Sequence, residues 1–196
     1  MVKLKIILLY SLIFSSILTL IDDSFAATIA LPRTGQPLKK GANDDGTIQK
    51  GVAWPIPRFT DNGNGTVTDN LTKLIWLKNA NCFSGQAWTV ALDVTNLLAN
   101  DACGLTDGSR TSEWRLPNLN ELKSLVDISQ YNPAISTGHP FTSVQSSHNT
   151  DFYWSSSSGG GLDFDMCRVV NMYGGSSGGY HYKTDVGYVW PVRGGQ

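Results

Sequence analysis

Side chains able to meet a ligand are densest between Asn171 and Asp185, NMYGGSSGGYHYKTD. Tyr173, Tyr180, His181 and Tyr182 stand there among Gly and Ser, a mixture that offers rigid aromatic contact area and adaptable hydrogen bonding, as antibody paratopes do. One reading is a ligand-facing loop over these four residues; the other is an ordinary hairpin that displays its tyrosines. Cys167, just upstream, is the only thiol of the C-terminal half. As a nucleophile it would need His139, His148 or His181 as its base, but no flanking motif supports that chemistry, and a small packed thiol on a strand is the favoured reading. Asp61, Asn62, Asn64 and Asp69 collect oxygen donors of the kind calcium takes, yet without the spacing or distal Glu of an EF-hand, so they read as a turn. Asp163 and Asp165 would share one strand face, and two carboxylates alone are satisfied by solvent. The residues call for no metal and no cofactor.

Positioning these groups falls to short elements. Arg58-Phe59-Thr60 and Thr66-Val67-Thr68 flank a Gly-rich reversal at Asp61 to Gly65 and predict a hairpin. Leu74 to Leu77 follows as an apolar strand buried on both faces. Trp88, Ala91, Leu92, Thr95 and Leu98 recur at helical spacing and predict an amphipathic helix within Ser84 to Ala99. In Trp114 to Leu122, WRLPNLNEL, Pro117 keeps Leu116 extended and ends a strand. Asn118 and Glu121 then form a capping box for a second helix, which buries Leu119, Leu122, Leu125 and Val126. From Asp127 to about Thr150, Pro133, Gly138 and Pro140 predict loop. Phe152-Tyr153-Trp154, Arg168 to Met172 and Tyr188 to Val192 predict three more strands. Strands around two helices, without regular alternation, define an α+β fold. The six tryptophans lie within or beside apolar runs and belong mostly to the core. Arg115 and Arg193, each between apolar neighbours, are expected to pair with carboxylates such as Glu121 or Asp127.

The N-terminus carries an address. Lys3 and Lys5 precede an apolar stretch from Ile6 to Ile21, and Ser24-Phe25-Ala26 supplies the small residues a signal peptidase reads, so residues 1–26 are expected to be a cleaved secretory signal. Residues 27–53 show no periodicity and predict an extended, partly mobile arm before a domain at 54–196. Leaving out residues 1–26, 13 Lys and Arg face 14 Asp and Glu, a balance that excludes any strong field toward nucleic acid or acidic membranes. Beyond the signal no segment is apolar and long enough to span a bilayer. In the oxidising compartment an export signal implies, Cys82 and Cys103, which flank the first helix, are the expected disulfide. Three cysteines permit three single pairings, and a bridge to Cys167 stays open.

Five stretches in order, Thr60 to Asn70, Trp76 to Cys82, Trp114 to Leu122, Tyr153 to Ser156 and Trp190 to Gln196, together resemble the Lcl C-terminal domain family over about Val52 to Gln196. The family was long catalogued only as a domain of unknown function. The resemblance implies a C-type-lectin-like fold related to the formylglycine-generating enzymes. It also implies the role of the founding member's domain, the adhesive part of a collagen-like surface protein that binds sulfated glycosaminoglycans. The chain departs from that pattern in several places. No Gly-X-Y repeat precedes the domain, and Lys73 stands where the family commonly has Gly, so this turn is not expected to need a left-handed residue. Cys167 replaces a usual small residue and has no second Cys nearby to act with it, as formylglycine formation would require. The Glu-Pro-Asn, Gln-Pro-Asp and Trp-Asn-Asp triplets of calcium-dependent lectins do not occur. The expected function is an exported, non-catalytic recognition or adhesion domain presenting polar loops to a glycan or protein at the cell envelope. A structural envelope component without a discrete ligand and a cysteine-dependent enzyme are the alternatives.

Overall fold

The computed structural model describes residues 31–148, 150–160 and 164–194. The expected signal peptide and Asp163 lie outside them. Twelve elements follow in order: α1 (Asp45–Ile48), β1 (Phe59–Asp61), β2 (Thr66–Asp69), β3 (Ile75–Leu77), β4 (Gly85–Gln86), α2 (Trp88–Leu97), α3 (Leu119–Ser124), β5 (Tyr153–Ser158), β6 (Met166–Val170), β7 (Ser177–Tyr182), β8 (Gly187–Tyr188) and β9 (Val192–Arg193). The fold is α+β, with two sheets. One is antiparallel in the order β1-β2-β3-β9; the other is mixed, in the order β4-β8-β5-β6-β7, with β8 and β5 parallel.

Strand alternation distributes the core. Tyr153, Val170 and Trp190 join one buried cluster with Trp76, Trp114 and Phe141, while their neighbours Trp154, Val169 and Val189 join a second with Ala91, Leu116, Phe152 and Cys167. Successive residues of β5 and β6 thus point to opposite faces, and both faces are covered. Around Trp190 the rings of Phe141, Tyr153 and Trp76 lie 4.9, 5.1 and 5.8 Å away. Trp76, Trp114, Trp154 and Trp190 are fully buried, and three of them place the indole N–H on an oxygen: Trp190 on Leu77 O, Trp114 on Ser109 Oγ and Trp154 on Gln86 O.

Helix α3 opens as expected. The Asn118 side chain accepts from Glu121 N at 2.9 Å, and Glu121 Oε2 accepts from Asn118 N at 2.8 Å. Helix α2 begins four residues later than Ser84, because Gly85 and Gln86 pair with β8 and Ser84 takes a left-handed φ of 56°. The expected strand Tyr188 to Val192 is divided. Its start pairs in the second sheet and its end in the first, and Pro191, which has no N–H to donate, marks the crossing. β5 runs on through the serines to Ser158, and β6 starts two residues before Arg168. Lys73 does adopt a left-handed φ of 64°, so its turn requires that conformation even without glycine. The disulfide joins Cys82 to Cys103, and Cys167 is free and buried.

Residues 31–53 are not the extended arm that composition predicts. Arg33 N donates to Val52 O at 3.0 Å and Val52 N to Leu31 O at 2.8 Å, closing a loop around Asp44. The Asp44 carboxylate accepts from Lys40 N, Gly41 N, Thr47 N, Thr47 Oγ1 and Gln36 Nε2, which organises polar residues that have no apolar periodicity. These bonds, led by the Thr47 hydroxyl and the Lys40 N–H, hold its pKa down at about 2.

Candidate ligand-binding surface

β7 is an edge strand of the second sheet, and its period of two separates the residues that adjoin in the sequence. Tyr180 lies opposite Arg168 and Tyr182 opposite Met166, whereas His181 lies opposite Cys167 on the other face. The Arg168 guanidinium sits 3.6 Å from the Tyr180 ring centre and donates to Gly178 O. Tyr180 and Tyr182 are 41% and 56% exposed, so this face presents an arginine and two phenols to solvent. His181 is stacked on Phe152 at 3.7 Å, with Nδ1 3.3 Å from Asp185 Oδ2. Tyr173 lies in a separate turn, its ring 4.4 Å from that of Tyr131. The expected loop is therefore a hairpin strand that unites Tyr180 and Tyr182 and sets His181 and Tyr173 apart. Arg168, the third member of that face, is only a strand residue by sequence; its place opposite Tyr180 depends on a register that Gly and Ser do not encode.

Cys167 faces inward. Its residue is wholly buried, its sulfur is 4.0 Å from Ser158 Oγ, and burial pushes the thiol pKa up. Register brings His181 across the strand from it, but that ring lies flat on Phe152. His139 is half-buried beside Phe141, and desolvation lowers its pKa. His148 is exposed, 3.8 Å from Asp151.

The carboxylates of the first hairpin are occupied by the protein. Asp61 accepts from Lys78 Nζ at 2.7 Å and Gly63 N at 3.0 Å, and its pKa is lowered chiefly by the lysine. Asn64 accepts from Thr66 Oγ1 at 2.7 Å. Asp69, fully buried, receives Arg58 Nε at 2.9 Å and Nη2 at 2.8 Å; the same Nη2 reaches Ser124 O at 2.9 Å and so ties the hairpin to α3. Among the described residues no three His, Cys, Asp or Glu side chains converge as a metal would require.

Arg115 forms a two-pronged pair with Glu121 at 2.7 and 2.6 Å, as expected. Burial opposes the charge on Glu121, yet Arg115 and the Asn118 N–H keep its pKa below the usual value. Arg193 pairs instead with Asp107 at 2.9 Å and Glu113 at 3.4 Å. Asp127 is no arginine partner; its Oδ1 anchors Ser129 N and Oγ in a turn. Nothing local in the sequence marks the Arg58–Asp69 pair; the hairpin register creates it by placing Asp69 directly across from Phe59, the neighbour of Arg58.

Two concavities adjoin Trp54: one of about 230 Å³ where residues 32–54 meet the remainder of the molecule, and one of about 220 Å³ lined wholly by residues between Arg33 and Trp54. A third, of about 540 Å³, is bordered by Asp93, Asn96, Arg115 and Ser156.

A family model described as the Lcl C-terminal domain matches residues 65–193. No curated protein and no solved structure matches the chain. That match takes in both sheets' central strands, the capped helix α3, and Arg168, Tyr180 and Tyr182. The chain belongs to the Lcl C-terminal domain family.

Proposed function

We propose that the chain is an exported, non-catalytic recognition domain of the adhesin type, which contacts a glycan or protein at the cell envelope through the outer face of β6 and β7. The observation that carries this reading is the solvent-facing set of Arg168, Tyr180 and Tyr182. Tyrosines of this kind supply large contact area at low entropic cost, and the stacked guanidinium adds a fixed cation. Membership of the Lcl C-terminal domain family supports the adhesin character. Export is supported by the apolar N-terminal stretch and by the Cys82–Cys103 disulfide. Among the described residues no helix is long and apolar enough to cross a membrane. The non-catalytic reading is supported by the burial of Cys167 and the upward pull on its thiol pKa, since a nucleophile needs the thiolate. A C-type-lectin-like relationship belongs to the same proposal.

The test is saturable binding to a glycan array and to extracted envelope material at near-physiological salt. Wild-type protein should bind, and Tyr180→Ala with Tyr182→Ala should weaken binding by about tenfold or more while the thermal transition is kept. Unchanged binding by the double variant would remove β7 from the reading, and no saturable partner at all would favour a structural envelope component.

A further inference from the structure

The two concavities beside Trp54 differ in chemistry. The first is chiefly aliphatic, lined by Pro32, Leu71, Val126 and Ile128. The second carries planar polar groups, from Gln36, Asp45 and Gln49. Arg33 and Trp54 belong to both, so the pair makes one cleft with an apolar end and a hydrogen-bonding end. Its walls are pre-set. The Trp54 indole donates to Arg33 O at 2.8 Å, and the Arg58 guanidinium lies 4.6 Å over the ring, itself held by Asp69. Arg33 Nη1 donates to Gln49 Oε1 at 3.1 Å and Asp45 accepts from Thr34, which orients the polar end. Among the described residues Arg33 Nη2 has no bond, which leaves it for a ligand. Gly35, at a φ of 90°, lines the polar end, and an added Cβ there would lie 2.5 Å from Asp127 Oδ1 and 3.1 Å from the Trp54 ring.

A sugar ring has an apolar C–H face and a rim of hydroxyls that are both donors and acceptors. An indole beside an aliphatic wall meets the first requirement, and carboxylate, amide and guanidinium groups meet the second. Small-ligand sites have this general make-up, mostly apolar with a few polar groups, at roughly 300–1,000 Å³, a range the two concavities reach together. We propose that the cleft on either side of Arg33 and Trp54 is a saccharide-binding site for two sugar rings, one against the aliphatic end, where residues 32–54 meet the rest of the molecule, and the next hydrogen-bonded by Arg33, Asp45 and Gln49. Nine of its sixteen lining residues lie before residue 65, where the family match begins, so the cleft is a property of this chain rather than of the family domain alone. It shares no residue with the Arg168, Tyr180 and Tyr182 face and stands independently of it.

The test is an NMR titration of the oxidised protein with cellobiose, maltose and N,N′-diacetylchitobiose separately, reading the Trp54 indole N–H and the Gln49 side-chain amide. At least one disaccharide should shift both signals saturably. Trp54→Ala should abolish binding, as read on the Gln49 amide. Ser177→Tyr, which fills the aliphatic end from an exposed strand position, should weaken it about tenfold and covers the case in which the tryptophan variant fails to fold. Leu97→Ala, on the exposed side of α2, should leave the affinity unchanged. The proposal fails if none of the three sugars moves the Trp54 signal, or if the shifts persist unweakened in Ser177→Tyr. An extended peptide that moves these signals when no sugar does would assign the cleft to a protein ligand instead.

Discussion

Breaking the Arg58–Asp69 pair one side at a time gives the sharpest test of how the hairpin is held to α3. Asp69 is fully buried and Arg58 has a side chain only 5% exposed, so solvent cannot take over either charge. Asp69→Asn keeps the shape and one oxygen for the Leu71 N–H, which Asp69 Oδ1 accepts at 2.8 Å, but it leaves a guanidinium without its counter-charge. Arg58→Met keeps much of the packing against Trp54 and Phe59, but it leaves a buried carboxylate bonded only to Leu71, Thr72 and its own turn. Each should cost about 3 kcal/mol, the lower end of the range for an orphaned buried charge. Against a total stability of roughly 5–15 kcal/mol, either loss is large. R58M/D69N removes both charges together and should cost about 3 kcal/mol rather than the sum, a coupling of about 3 kcal/mol. Urea unfolding of the oxidised protein, followed by fluorescence of the buried tryptophans, measures all four corners of the cycle. Single-variant losses below about 1 kcal/mol, or a double variant that is simply additive, would refute the assignment of this pair as the tie between β1, β2 and α3.

Lys73→Gly should stabilise the protein by about 0.5 kcal/mol: left-handed backbone costs an L-residue about 1–2 kcal/mol, and the greater unfolded-state freedom of glycine returns roughly half of that. A fall in the thermal midpoint would count against it. Cys167 should resist iodoacetamide in the native protein at neutral pH and react once unfolded, as followed by mass spectrometry; rapid native alkylation would restore the cysteine-enzyme reading. Asp44 has a folded pKa below its ordinary 3.8, so its contribution to the 36–49 loop is present above that value and is lost as pH falls toward about 2. Amide NMR signals of Lys40, Gly41 and Thr47 should hold their positions to about pH 3 and shift together below it; a shift centred near 3.8 would contradict the hydrogen-bonded cage.

What the sequence made legible was whatever local spacing encodes. The capping box at Asn118 and Glu121 and the turn after Asp61 each depend on residues within four positions of one another, and the structure contains both; the apolar run into Trp76 and Leu77 forms a strand one residue shorter than expected, with Ile75 half-buried. What it did not reveal depends on register across distant strands. The serines of β5 carry turn propensity, yet they become strand because β6 pairs at both ends of the run, with Trp154 opposite Val169 and Ser158 opposite Cys167; Gly179 likewise enters β7 opposite Val169, with Gly178 at the bulge beside it. The same cause hid the contact surface. Tyr180, His181 and Tyr182 are adjacent in sequence, and only the alternation of a strand decides that the tyrosines share a face with Arg168 while the histidine turns in to Phe152. The N-terminal segment departs from the extended form expected of its composition for a related reason. It has no apolar period because its order comes from one carboxylate, Asp44, and from Trp54 lying under Arg58, so its packing is polar and tertiary rather than amphipathic. Both candidate contact regions, the face of β7 and the cleft at Trp54, therefore lie where local propensity is weakest. A strand edge and a loop free of the need to bury apolar side chains can carry tyrosine, arginine and glutamine toward solvent, while the tryptophan core beneath fixes their backbone.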